Sequence, residues 1–301
     1  MHGDYDLRIL FPTSFSDSCF QVGRAIAQLA DTCRISLTLA HIVRYGGATA
    51  QVHRELDSFL GEADHFDHCR RVLIESDNVP AAVADFASRE RFDLVISPAS
   101  DRLGVSSLVT PSFRARLLAR SQVPLWTMGH SVPPARFRKG IKNVACLVDF
   151  DKDPMGRMPR VTSFAERFGA RLHLLDVIPP VSEGTVVHAL NSERPLRPEV
   201  SLGRIREMFD GRSCPNAYAA IGHRGRELRR MLEACEADIL FVGHRQAERG
   251  VIMARYARDL DRLPCPVICL SESPDAPSQW SFERIDTDRR ERFATELAFA
   301  G

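Results

Sequence analysis

Residues 91–102, RFDLVISPASDR, recur at 236–247 as EADILFVGHRQA, with Asp93 over Asp238 at an offset of 145. In both copies a charged turn gives way to a run in which apolar residues follow one another directly. A strand with one wet face alternates polar and apolar residues. An unbroken apolar run instead suits a strand covered on both sides, as in a parallel sheet flanked by helices.

Working outward, three more blocks repeat in the same order. LRILFPTSFSD (7–17) matches KNVACLVDFDKD (142–153), with Phe15 over Phe150 at an offset of 135. ISLTLAHIV (35–43) matches ARLHLLDVI (170–178) at the same offset, and ARSQVPLWTM (119–128) matches DRLPCPVICL (261–270) at 142. The second copy therefore gains ten residues in its middle and loses three between its last two strands. A repeat on this scale, in a chain of 301 residues, predicts two domains.

Helical spacing fills the gaps. In the first copy strands are expected at 7–12, 35–43, 70–75, 93–97 and 123–128, with helices at 17–31, 52–68, 79–91 and 107–120. In the second, strands are expected at 142–148, 171–178, 215–221, 238–242 and 266–271, with helices near 155–168, 199–210, 224–235 and 250–262. Alternating strands and helices of these lengths form right-handed βαβ units. The expected fold class is thus α/β: two tandem doubly wound, Rossmann-like domains, each on a five-stranded parallel sheet. The expected boundaries are 1–130, a linker at 131–140 within GHSVPPARFRKG (129–140), 141–272, and a C-terminal tail at 273–301. The linker reads as a basic surface segment, and the proline-bearing stretch 179–198 as a long crossing loop.

Composition excludes several classes. Forty basic and 39 acidic side chains nearly cancel, so charge gives no case for nucleic acid or an anionic membrane. No apolar run approaches the roughly 20 residues of a membrane span, and MHGDYDLRILFPTS lacks the pattern of a signal peptide. Cytoplasmic localisation is the expectation. The eight cysteines are scattered and read as reduced core residues.

These blocks resemble the universal stress protein family over nearly all of 7–271. ILFPTSFSDS is similar to its first strand and turn, DNVPAAVADFASRERFDLVIS to its third helix and fourth strand, and QVPLW and CPVIC to its closing strand. The resemblance implies an adenine-nucleotide site, ATP among the candidates. Its signature, Gly-x2-Gly-x9-Gly-Ser/Thr after the fourth strand, lets bare backbone approach phosphates while helix-start N–H groups face the anion. An acid after the first strand meets the adenine or ribose.

Both copies depart from that signature. In the first, PASDRLGVSSLVTPS places Pro98, Asp101 and Pro111 at the glycine positions, and Ser14 replaces the acid. Arg102, Gly104 and Ser112 still fit. The second keeps the acid as Asp149 and the first glycine as Gly243, but its loop is three residues short. Gln246 holds the second glycine position and Met253-Ala254 the Gly-Ser site. His244, Arg245, Arg249 and Gly250 leave phosphate contact by side chains open, against the plainer reading of a solvated basic loop.

No nucleophile–base set is evident, so no catalytic residues are assigned and the chain reads as non-enzymatic, with weak ATP hydrolysis not excluded. His65, His68 and Cys69 fall on one face at the end of the helix expected at 52–68, but three local donors fall short of a metal site. His41, over Asp176 in the repeat, reads as a hydrogen-bonded buried histidine near the strand ends. HRGRELRR (223–230) reads as a solvated cationic helix start. The expected function is stress-response regulation with at most a weak nucleotide site in the second domain. The alternative is an interaction module that binds no nucleotide and acts through an internal pseudo-dimer, seamed by strands 123–128 and 266–271. A homodimer and a regulatory protein of unknown identity complete the expected partners.

Overall fold

The computed structural model describes residues 7–61, 66, 68–98, 113–129, 132, 137–148, 157–178, 180, 197–209, 215–243 and 263–270. The first half contributes strands β1 (Leu7–Pro12), β2 (Ile35–Val43), β3 (His68–Glu75), β4 (Leu94–Pro98) and β5 (Leu125–Met128). Between them run helices α1 (Asp17–Ala30), α2 (Ala50–Ser58), α3 (Val79–Arg89) and α4 (Phe113–Leu118). The second half contributes β6 (Asn143–Leu147), β7 (Arg171–Ile178), β8 (Asn216–Ile221), β9 (Ile239–Gly243) and β10 (Val267–Leu270). Its helices are α5 (Met158–Arg167), α6 (Pro198–Glu207) and α7 (Arg224–Ala234).

All ten strands join one sheet, in the order β3-β2-β1-β4-β5-β10-β9-β6-β7-β8. Within each half every pairing is parallel; β5 and β10 alone meet antiparallel, through Val267↔Thr127, Ile268↔Trp126 and Cys269↔Leu125. The expected seam is therefore present. Each half reverses its strand order, between β1 and β4 and between β6 and β9. Crossovers leave in opposite directions there and open a crevice at the carboxyl ends of the strands.

Two apolar layers cover the sheet, and each runs across both halves. Alternation along β1 sends Leu7, Ile9 and Phe11 into one layer and Leu10 into the other. The first layer takes Val22, Ile26 and Leu29 of α1, Leu56 of α2, Phe164 of α5 and Ile205 of α6. The second takes Val83 and Phe86 of α3, Leu117 of α4, and Leu228 and Met231 of α7.

The repeat extends to the hydrogen bonds. Asp93 and the backbone of Arg8 exchange bonds, Arg8 N–H to Asp93 Oδ2 at 2.7 Å and Asp93 N–H to Arg8 O at 2.9 Å. Asp238 does the same with Asn143, at 2.9 and 2.8 Å. Before each aspartate the helix closes through a left-handed residue, Arg91 (φ 55°) or Glu236 (φ 49°). Phe92 N–H then reaches back to Ala87 O, and Ala237 N–H to Leu232 O.

Three expectations need correction. The helix expected at 52–68 stops at Ser58, because Phe59 turns extended (φ −65°, ψ 127°) and Leu60 is left-handed (φ 51°). His68 and Cys69 consequently belong to β3, where successive side chains leave on opposite faces; His65 lies outside the described residues. Among the described residues no group of three or more His, Cys, Asp or Glu could hold a metal. The joint at 129–140 is not simply a surface tether. Val132 and Phe137 are buried, and Phe137 meets Trp126 of β5 edge-on at 5.6 Å. Apolar anchoring overrode the basic, proline-bearing composition of the segment.

Seven cysteines are free thiols among the described residues; Cys214 lies outside them. Burial pushes Cys146 up to about 11 and Cys269 up to about 12, so neither is a thiolate near neutrality. No helix among the described residues is long and apolar enough to cross a membrane. The helix expected at 250–262 and the tail at 273–301 lie outside the described residues.

Candidate functional site

The two crevices can be compared residue by residue through the sheet register. In the first half Ile9 pairs with Leu94 and Leu10 with Val95, which brings Thr13 level with Pro98 beyond the paired ends. In the second, Val144 pairs with Ile239 and Cys146 with Phe241, which brings Val148 level with Gly243. Ser14 follows the first of these level pairs and Asp149 the second. The repeat alignment and the register thus select the same positions.

Around the first crevice, Thr13 is buried and donates its N–H to Ala40 O at 2.8 Å. The Thr13 carbonyl accepts from His41 Nδ1 at 2.8 Å, so that nitrogen carries a proton. Phe15 follows with φ 59°, a conformation costing roughly 1–2 kcal/mol for a residue with a Cβ. Its N–H donates to Thr13 Oγ1 at 3.1 Å. The turn lays the Phe15 ring flat against His41, with centroids 4.3 Å apart, and tilted against Phe59 at 5.5 Å. Ser14 is exposed, and its hydroxyl donates to Ser16 Oγ at 3.3 Å. Aromatic rings thus fill the space over the end of β2, and Pro98 offers no N–H at the end of β4.

The second crevice keeps the equivalent backbone bond, Val148 N–H to Leu175 O at 2.8 Å, but differs in its side chains. Gly243 ends β9 with no side chain and pairs with Leu270. Asp176 stands where His41 stands in the first half; it is 1% exposed, and Ser201 of α6 donates to its Oδ2 at 2.9 Å. At the start of α5, buried Arg157 lies close enough to Cys146 to oppose the rise in that thiol's pKa. Arg114 does the same for Cys269. Neither arginine stood out in the sequence, because each opens a helix that carries other cations, Arg160 and Arg167 in α5 and Arg116 in α4. Asp149, His244, Arg245, Arg249 and Gly250 lie outside the described residues, as do Arg102, Gly104 and Ser112.

The cationic start of α7 is solvated, as expected. Glu227 is buried and receives Arg226 at 3.1 Å and Arg230 at 3.3 Å, while both guanidinium groups stay largely exposed. His41 is half-buried rather than buried, but hydrogen-bonded as expected.

No protein-family model and no curated protein matches the sequence. Solved structures do match. A universal stress protein from Archaeoglobus fulgidus superposes at a TM-score of 0.58, over 89% of this chain and 97% of its own, with 14% identity. A functionally unknown protein from Pseudomonas aeruginosa superposes at 0.56, over 91% of this chain and 96% of its own, with 13% identity. The chain carries the tandem universal stress protein fold. At such identities the likeness concerns the backbone alone. The fold places a crevice at each reversal of strand order, and the chemistry there belongs to this chain's own residues.

Proposed function

We propose that this protein is a non-enzymatic regulator, in the manner of universal stress proteins, whose ligand-responsive half is the second. One difference in register supports the assignment. The position level with Val148 is Gly243, which has no side chain. Its counterpart level with Thr13 is Pro98, which has a ring and no N–H, and in the same half Phe15 stacks on His41 beyond the ends of β1 and β2. The ligand class is an adenine nucleotide, with ATP first among them. Asp149 would meet the ribose or base, and His244, Arg245, Arg249 and the helix start at Gly250 the phosphates, replacing missing glycine amides by charged side chains. The site would be weak, because a shortened loop surrenders the convergent N–H groups that make phosphate cradles tight.

Thermal melting of the full chain with and without millimolar Mg-ATP tests this reading. A ligand at 100 times its dissociation constant adds about 2.7 kcal/mol. Arg245→Ala should abolish the shift and Ser112→Ala should preserve it. No shift with ATP, ADP, AMP or cyclic AMP removes the nucleotide and leaves the internal pseudo-dimer as a surface for protein partners. A shift lost in Ser112→Ala but kept in Arg245→Ala moves the site to the first half.

A further inference from the structure

The ten-stranded sheet ends in β3 on one side and β8 on the other, and the two edges are unlike. β3, HCRRVLIE, carries Arg70, Arg71 and Glu75. The Arg71 guanidinium is tied to the carbonyls of Leu56, Phe59 and Leu60 at 3.0, 3.2 and 3.4 Å, and Arg70 meets Glu90 at 3.4 Å. Charges at an edge discourage a second chain from adding to it. β8, NAYAAI, has no charge and no proline, and it ends on Ile221, half exposed at 50%.

The register shows which groups β8 offers. Gly222 donates its N–H to Ile178 O at 3.0 Å, so Ala220 and Tyr218 also direct their backbone groups at β7. With a period of two, Ala217, Ala219 and Ile221 direct theirs outward, where no described strand pairs with them.

We propose that the β8 edge is a two-fold docking surface for a second copy of this chain. The outward residues are spaced evenly about Ala219, so an antiparallel copy related by a two-fold axis there sets Ala219 opposite its own equivalent and Ala217 opposite Ile221. Tyr218 then comes opposite Ala220. These two side chains lie on the same face, against the same apolar layer, and a large ring meets a small methyl. The sheet already extends itself in this manner once, where β5 and β10 join antiparallel. Those two edges are consumed by that join, and β3 is guarded by charge, which leaves β8. An alternative contact of β8 with β3 of the next copy has no closing symmetry and would set Arg70 and Arg71 along an uncharged strand.

Sedimentation equilibrium of the full chain from about 1 to about 100 μM tests the proposal. The expected result is a reversible monomer–dimer equilibrium that stops at two. Ala219→Lys puts two ammonium groups face to face and should weaken it at least tenfold. Ala219→Pro removes one outward N–H and no bond to β7, and should do the same. Glu75→Lys, on the other edge, should leave it unchanged. Far-UV circular dichroism confirms that each variant is folded, and should the proline variant unfold, the lysine variant alone decides. A monomer throughout the range, a dimer indifferent to a folded Ala219→Lys, or a mass growing past two overturns the proposal.

Discussion

The ring of Phe15 lies 4.3 Å from that of His41, nearly parallel at 23°, in a turn that holds Phe15 at φ 59°. The stack and the bond from His41 Nδ1 to Thr13 O fix the turn from two directions. His41→Ala should cost about 1–2 kcal/mol, since the carbonyl of buried Thr13 loses its donor and Phe15 its neighbour. Urea unfolding checks the value, and a loss within 0.3 kcal/mol of zero would show that the stack contributes no stability. Long-range ¹H–¹⁵N correlation of the wild-type protein should show Nδ1 as the protonated nitrogen.

Asp93 and Asp238 accept from equivalent strand-start N–H groups, and Asp238 accepts from Lys142 N–H at 2.7 Å as well, so its variants should respond in the same direction and at least as strongly. Asp→Ala at either position leaves a strand-start N–H of Arg8 or Asn143 without its acceptor, and should cost about 1–3 kcal/mol. Asp→Asn keeps an acceptor oxygen and should cost much less. At Asp93 burial raises the carboxyl pKa despite the Arg8 N–H, so the neutral amide carries a further advantage there. Chemical unfolding of the four variants checks both statements.

Two glycine exchanges of opposite direction should each stabilise the protein. Arg91→Gly relieves a left-handed residue whose side chain is exposed, for a net gain of about 0.5–1 kcal/mol. Gly203→Ala replaces a glycine inside α6 where an added Cβ meets nothing within 4 Å, for a gain of about 1 kcal/mol. Each should raise the melting temperature by a few degrees. A fall in either variant would contradict the backbone geometry at that position.

His173 gives a pH dependence with a definite sign. Asn143 Nδ2 donates to Glu236 O at 3.4 Å, which turns Asn143 Oδ1 toward His173 Nε2 at 3.2 Å. The Nε2 therefore carries the proton, and the buried Nδ1 faces no partner. Burial first, and Arg171 second, lower the imidazole pKa. The unfolded chain, titrating near 6.5, takes up the proton first, so the contribution is fully present above that pH and is lost as pH falls below it. Between about pH 7 and pH 5 the wild type should lose more stability than His173→Thr, which copies the equivalent Thr38. Equal losses would remove His173 as the cause.

Most of the architecture was legible because it is written in repeats. Asp93 over Asp238 and Pro124 over Pro266 located equivalent strands, and unbroken apolar runs marked them as buried on both sides. The helix expected at 52–68 overran α2 because Leu56, Phe59 and Leu60 continue a helical spacing while the backbone has already turned; all three still reach the first apolar layer. Phe137 was hidden among basic and proline residues, whose composition says nothing of one buried anchor. The equivalence of Pro98 and Gly243 at the ends of β4 and β9 was legible, and the register reproduces it; Asp149 and the loop after Gly243 lie outside the described residues. The left-handed turn at Phe15 was not legible, since a bulky aromatic carries no local signal for positive φ.

The antiparallel join of β5 to β10 turns the two strand-end rims toward opposite ends of the sheet. A single small ligand cannot touch both, and a partner gripping one rim leaves the other free. In a dimer of separate chains, any change in one rim appears in both. Fusing the halves removes that constraint. One rim carries the Phe15–His41 stack and the other Gly243, which makes the protein polar, with a head and a tail.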